Sequence, residues 1–138
     1  MGVFKDTEEA ERFLGAIWER MGTDAKLAPK LTATGLVMQL DYTEPDACVT
    51  VSCNAEGIAV ERGHTSTEPQ LTLFMTADTG NKFWLGEIKN IPKALSSGQI
   101  RTEGQMPNMM KLLPVLLPAF KLYRTILTES GRTDLIVD

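Results

Sequence analysis

The sequence predicts an α+β domain, a five-stranded, curved, mainly antiparallel sheet with helices covering one face. Three observations carry that expectation. Apolar residues recur at helical spacing between Phe13 and Met21. From Leu36 the period switches to two, and short alternating segments are punctuated by turn-forming Gly, Pro, Asp and Asn. From Leu112 to Phe120 no side chain is polar or charged, so a helix there needs cover on more than one face.

The elements follow in order. Asp6 and Glu9 stand at capping-box spacing ahead of a helix. Phe13, Leu14, Ile17, Trp18 and Met21 form its buried face, Glu9, Glu11, Arg12, Glu19 and Arg20 its wet face, and Gly22 its end. Asp24 caps a shorter helix through Leu31, limited by Pro29, and Gly35 opens the sheet. Leu36, Met38, Leu40 and Tyr42 point to one side of a first strand. The EPDA turn leads to a second strand, Cys48 to Cys53, and Ala55-Glu56-Gly57 to a third, Ile58 to Glu61. Tight connections make these three a meander. A polar loop from Arg62 to Pro69 crosses to a fourth strand, Leu71 to Thr76. A short helix then carries Phe83, Trp84 and Leu85 and closes at Gly86. Ile91 to Ser97 forms another helical turn with Pro92 near its start, and Gln99 to Glu103 a fifth strand. An apolar helix follows, kinked or divided at Pro114 and Pro118, and a short tail, TDLIVD, closes the chain. The expected organisation is one domain over 1–138: helices in 1–33, strands in 35–76, short helices and the last strand in 78–104, and the apolar helix in 106–130.

Composition narrows the function. The net charge of −4 gives no general basic surface for nucleic acid. Up to Ala77 six Lys and Arg face twelve Asp and Glu; from Asp78 onward eight face six, so the basic excess shares a half with the apolar stretch. No P-loop or Gly-x-Gly-x-x-Gly fingerprint is present. The single histidine, His64, stands in a loop without a nucleophile elbow or metal-ligand spacing. We therefore expect no catalytic residue, no metal and no cofactor. Cys48 and Cys53, five positions apart on one strand, lie too far apart to bridge, which points to free thiols and a reducing compartment. The N-terminal MGVFKDTEEAE lacks the apolar core of a signal peptide, and Asp6 does not fit a myristoylation motif.

Three coverings would satisfy the stretch from Met106 to Leu127: a membrane, a partner chain or an apolar ligand. Lys111, Lys121 and Arg124 interrupt it and three prolines punctuate it, so a spanning helix of about 20 apolar residues is excluded. Met75, Met106, Met109 and Met110 supply flexible apolar surface suited to variable shapes.

The segments LTLFMTA and FWLGEIKNIPKALSSGQIRTEGQMPNMMKLL resemble the sterol carrier protein family. The resemblance is most specific from Phe83 to Leu113, where an aromatic-leucine-glycine turn, Asn-x-Pro-x-x-Ala and a Ser-Gly-x-Ile-x-x-x-Gly strand run into a Met/Leu helix. It implies an apolar tunnel between sheet and helices that holds fatty acyl chains, acyl-CoA, sterols or other lipids, without catalysis. Gln105 replaces a commonly acidic residue, and Pro114 and Pro118 make the last helix less regular than the family's. The chain ends in Ile-Val-Asp, not the peroxisomal Ser-Lys-Leu type. That difference leads us to expect a stand-alone cytoplasmic, bacterial protein and weighs against a sterol ligand.

On this reading Leu36, Met38, Leu40, Leu73 and Met75 form one wall of the binding space. Phe83, Trp84, Met106, Met109, Met110, Leu113, Leu117 and Phe120 form the opposite wall and mouth. Lys111, Lys121 and Arg124 would meet a head group or an anionic membrane surface. Burying about 14 methylenes at about 0.8 kcal/mol each, against association costs of at least about 4 kcal/mol, corresponds to roughly micromolar affinity. The competing expectation is an accessory module that dimerises or docks on a larger lipid- or quinone-handling enzyme through the same apolar helix.

Overall fold

The first helix, α1 (Thr7–Thr23), starts where Asp6 Oδ1 accepts the Glu9 amide at 2.9 Å. Glu9 Oε1 reaches back to the Lys5 amide at 3.1 Å, one residue beyond the position a strict capping box would use. In the computed structural model, which describes residues 3–63, 65, 67–88, 90–104 and 112–136, this helix buries Phe13, Leu14, Ile17, Trp18 and Met21. It ends one residue past Gly22, with the Asp24 amide returning to the Met21 carbonyl. A Cβ at Gly22 would make an ordinary contact with Ile58 Cβ, at 3.4 Å, where the helix passes β3. Asp24 Oδ1 then accepts the amides of Lys26 and Leu27, both at 2.9 Å, and starts α2 (Leu27–Thr32).

Five strands follow: β1 (Val37–Thr43), β2 (Ala47–Asn54), β3 (Gly57–Arg62), β4 (Leu71–Thr76) and β5 (Arg101–Gly104). They form one open sheet in the order β3-β2-β1-β4-β5. The meander β1–β2–β3 is antiparallel, as is β4 with β5, but β1 and β4 run parallel. The parallel pair arises because β3 finishes at one edge and residues 63–70 carry the chain across to the free side of β1. Register aligns rows of inward side chains across the centre: Val51, Met38 and Leu71 in one, Val49, Leu40 and Leu73 in the next. Leu36 lies just before β1, buried, with its carbonyl accepting the Cys53 amide at 2.8 Å. β5 begins at Arg101, later than its sequence pattern suggests, and ends at Gly104, whose φ is +110°. A Cβ there would lie 2.2 Å from the Gln70 carbonyl oxygen, so the edge strand can approach β4 only through a glycine.

Helices cover one face. α1 lies over β2 and β3, α3 (Ala77–Leu85) lies by β4 and β1, and a C-terminal helix (Ala119–Glu129) packs on α1 and α3. Thr76 Oγ1 caps α3 through the Thr79 amide, and Gly86 ends it in the left-handed region at φ +80°. Asn90 caps α4 (Ile91–Ser96) through the Lys93 amide at 3.0 Å.

The apolar stretch is divided, and the break falls at one proline. Residues 112–116 are helical with Pro114 among them; residues 117–118 form a turn, and Pro118 precedes the C-terminal helix. Met106, Met109, Met110 and Lys111, with Gln105, lie outside the described residues, as does His64.

The described part of the tail is anchored in the core. Leu135 is fully buried, and its carbonyl accepts Asn81 Nδ2–H at 2.9 Å. Asn81 Oδ1 in turn accepts the Tyr123 hydroxyl at 2.6 Å. One amide therefore joins α3, the C-terminal helix and the tail inside the protein. Tyr123→Phe removes the donor to a buried acceptor and should lower stability by about 1–3 kcal/mol. Urea unfolding of the variant checks this; an unchanged midpoint would show that the linkage contributes nothing.

Candidate functional site

Between the inner face of the sheet and the helices runs an apolar seam. Its floor is Leu40, Tyr42, Leu73 and Met75 from the adjacent parallel strands β1 and β4. Trp18 of α1, Phe83 and Trp84 of α3, and Ile100 just before β5 form its sides, and Leu112, Leu113 and Leu116 its roof. None of these side chains is charged. Trp84 meets Trp18 edge to face at 5.3 Å and Phe83 likewise at 5.1 Å. Phe83 meets Phe120 at 5.7 Å, so an aromatic chain links α1, α3 and the C-terminal helix. The open volume is only about 10 Å³, near the smallest space that holds one water. In this conformation the walls touch.

Six of the side chains expected at the binding space line the seam: Leu40, Leu73, Met75, Phe83, Trp84 and Leu113. Leu36 and Met38 are buried elsewhere in the core, at the α2 end of the sheet, and do not line it. Phe120 is half-buried against Phe83 and Gly86. Leu117 faces outward at 61% exposure between the exposed Pro114 and Pro118. Of the cations assigned to head groups, Lys121 is exposed. Arg124 instead donates to the Leu85 carbonyl at 3.0 Å and pairs with Glu87 at 3.4 Å, securing the end of α3.

Sequence reasoning missed Trp18, Tyr42, Ile100, Leu112 and Leu116 at this place. Trp18 and Tyr42 belong to patterns already legible as core faces, but nothing in spacing says which core residues from distant segments converge. Gly80 was a usable signal. A glycine in the middle of a helix normally weakens it, and here a Cβ would lie 2.6 Å from Tyr42 Cε1, so its absence lets α3 settle on the tyrosine ring.

The described residues offer little chemistry. No group of three His, Cys, Asp or Glu among them could hold a metal. Cys48 and Cys53 are buried free thiols, and Gln39 Nε2–H donates to Cys48 Sγ at 3.0 Å. Burial raises the Cys48 thiol above its ordinary pKa and pushes Cys53 up to about 11, so neither is a thiolate at neutral pH. Burial likewise raises Tyr42, which stays a neutral phenol. No described helix is long and apolar enough to cross a membrane.

The mixed five-stranded sheet with helices on one face matches the fold of sterol carrier protein 2 domains. Solved structures agree. The chain is similar to the sterol carrier protein domain 2 of Helicoverpa armigera, with TM-score 0.62 and 18% identity over 80% of this chain and 87% of that one. It is similar to a UbiJ-SCP2 ubiquinone synthesis protein, with TM-score 0.58 and 14% identity over 82% and 89%. It also matches part of the inverting sec-alkylsulfatase Pisa1 from Pseudomonas sp., with TM-score 0.55 and 10% identity over 63% of this chain. The chain spans only 14% of that enzyme's length. No protein-family profile matches the sequence, and no curated protein matches it.

Gly80→Ala separates local preference from packing. Helix propensity alone favours alanine by about 1 kcal/mol, whereas the overlap with the buried Tyr42 ring should reverse the sign and destabilise by about 1–3 kcal/mol. Thermal unfolding of the variant reads the sign directly, and a raised Tm would show that α3 does not press on Tyr42.

Proposed function

We propose that this chain binds and transfers lipids without catalysing a reaction, holding an apolar chain between the sheet floor and the 112–116 roof. The fold suggests lipid binding or transfer. The observation that carries the reading is the seam itself, an uncharged lining assembled from both layers with an apolar rim. Half-buried Leu113 and Phe120 and exposed Leu117 stand along that rim. An open volume of about 10 Å³ has room for one water at most and none for an acyl chain. A fatty acyl chain therefore enters only as the roof and floor part, and burial of its methylenes, about 0.8 kcal/mol each, drives the separation. Proteins whose apolar sites fill when a ligand arrives and collapse when it leaves suit a carrier, which must also release its cargo.

Leu40, Leu73, Met75, Phe83, Trp84 and Leu113 are the residues proposed to touch the chain. Met106, Met109 and Met110 continue the same apolar sequence and are proposed to extend the wall, with Lys111 and Lys121 near the head group. Brief contact with an anionic membrane surface fits these two lysines.

A second reading is supported by Leu117, the one exposed large hydrophobic among the described residues, and by the likeness to a ubiquinone synthesis protein. In it the rim docks on a second copy or on a larger lipid- or quinone-handling enzyme. Light scattering across concentration separates the two, because docking through the rim predicts a stable dimer or complex that survives delipidation.

Native mass spectrometry and lipid extraction of the purified protein should reveal apolar cargo, and a fluorescent fatty acid should bind at micromolar concentration. Leu113→Asp places a charge on the roof and should weaken that uptake at least ten-fold, with the circular dichroism of the strands unchanged. Protein free of cargo that takes up no probe would contradict lipid binding, and unaltered uptake by the variant would remove Leu113 from the wall.

A further inference from the structure

The surface that the seam turns to its open space is apolar, but the residues behind it also carry buried polar atoms. Four buried side-chain polar atoms among the described residues have no hydrogen-bond partner: Trp18 Nε1, Tyr42 Oη, Trp84 Nε1 and Thr50 Oγ1. Three of the four belong to residues that line the seam. The fourth, on Thr50, lies on the opposite face of the sheet. Trp18 and Trp84 are 0% and 1% exposed and Tyr42 is 1% exposed, so bulk water does not reach them. Folded proteins leave few buried polar groups unpaired, because each costs about 1–3 kcal/mol. Three around one small space is a concentration that packing alone does not explain.

The chemistry of these atoms is specific. An indole Nε1–H donates and cannot accept; a phenol both donates and accepts. The Trp84 indole lies beside the Tyr42 hydroxyl at the margin of hydrogen-bond reach, and the Trp18 ring stands edge to face on Trp84 at 5.3 Å. The group thus presents donors in excess of acceptors. No cation lines the seam, so a carboxylate or phosphate brought here would lose its hydration without a counter-charge. What matches is an oxygen that accepts hydrogen bonds and carries no charge.

We infer that the ligand of this seam carries an uncharged acceptor oxygen, of ketone, ester or ether type, which is buried among Trp84, Tyr42 and Trp18. The inference rests on the reading of the seam as an apolar-ligand site and deepens it. The hydrocarbon part supplies most of the affinity, and the oxygen selects among hydrocarbons and fixes how far the chain enters. An ionised head group remains at the rim.

The two tryptophans are the only ones in the chain, so ¹⁵N-labelled protein gives two indole N–H signals, which Trp18→Phe assigns. The probes are 2-tridecanone and n-tridecane, of equal chain length. The ketone should move the Trp84 indole proton downfield and bind about ten-fold more tightly than the alkane. Tyr42→Phe should shrink that preference, read as the ratio of ketone to alkane affinity in the same variant, to about three-fold. Equal affinity for the two probes with no indole displacement would overturn the acceptor inference while leaving apolar-ligand binding intact. Failure of both probes to bind the wild-type protein would overturn the inference together with the reading beneath it. The indole shift is read on wild-type protein and does not depend on the variant folding.

Discussion

Everything in this fold hangs on covering one side of β1. The strand sits at the centre of the sheet with neighbours on both edges, and Met38, Leu40 and Tyr42 project from it into the protein. Alternation fixes that side: a slip of one residue would turn Gln39 and Asp41 inward and the apolar row outward. α1 covers the part next to β2 and β3, α3 lies by β1 and β4, and the C-terminal helix packs on α1 and α3. The seam lies where these covers meet, over Leu40 and Tyr42.

The second constraint is how closely the covers approach. Glycines set it. Gly80 admits the Tyr42 ring under α3, and Gly15 leaves room for the Arg62 guanidinium beneath α1, where a Cβ would lie 2.9 Å from Nε. Arg62 uses that passage to donate to the Glu11 carbonyl at 3.0 Å. Gly86 combines a left-handed backbone with contact to Phe120, 3.0 Å from where a Cβ would stand. Tight approach closes the layers almost completely, yet it brings two indoles and a phenol together without partners. A core selected for packing alone would replace such groups or pair them. That mismatch is the ground on which an acceptor-bearing ligand is inferred.

Much of this architecture was legible in the sequence because its signals are local. The switch from helical spacing in Phe13–Met21 to alternation in Leu36–Tyr42 located the layers, and Asp24 and Gly86 marked helix boundaries through their own backbone chemistry. What the sequence left hidden depends on distance. The parallel pairing of β1 with β4 is decided by where residues 63–70 bring the chain, and nothing in LTLFMT records its direction. The site divides in the same way. Residues on recognisable faces, such as Leu40 and Leu73, were assigned to one wall by alternation, whereas Trp18 and Ile100 come to the seam from opposite parts of the chain. Arg124 looked available to a head group until α3 ended beside it. The apolar surplus from Leu112 to Phe120 was visible as composition; its division into buried Leu112 and Leu116 and exposed Leu117 follows from the turn at 117–118.

The central claim is that floor and roof part to admit an apolar chain between them. Isotope-filtered nuclear Overhauser measurements on labelled protein with an unlabelled fatty acid test it most directly. The account predicts contacts from the same acyl methylenes to the methyl groups of Leu40 and Leu73 on the sheet and of Leu116 on the helical side. Contacts confined to Leu117 and other outward-facing groups, with none to Leu40 or Leu73, would contradict it.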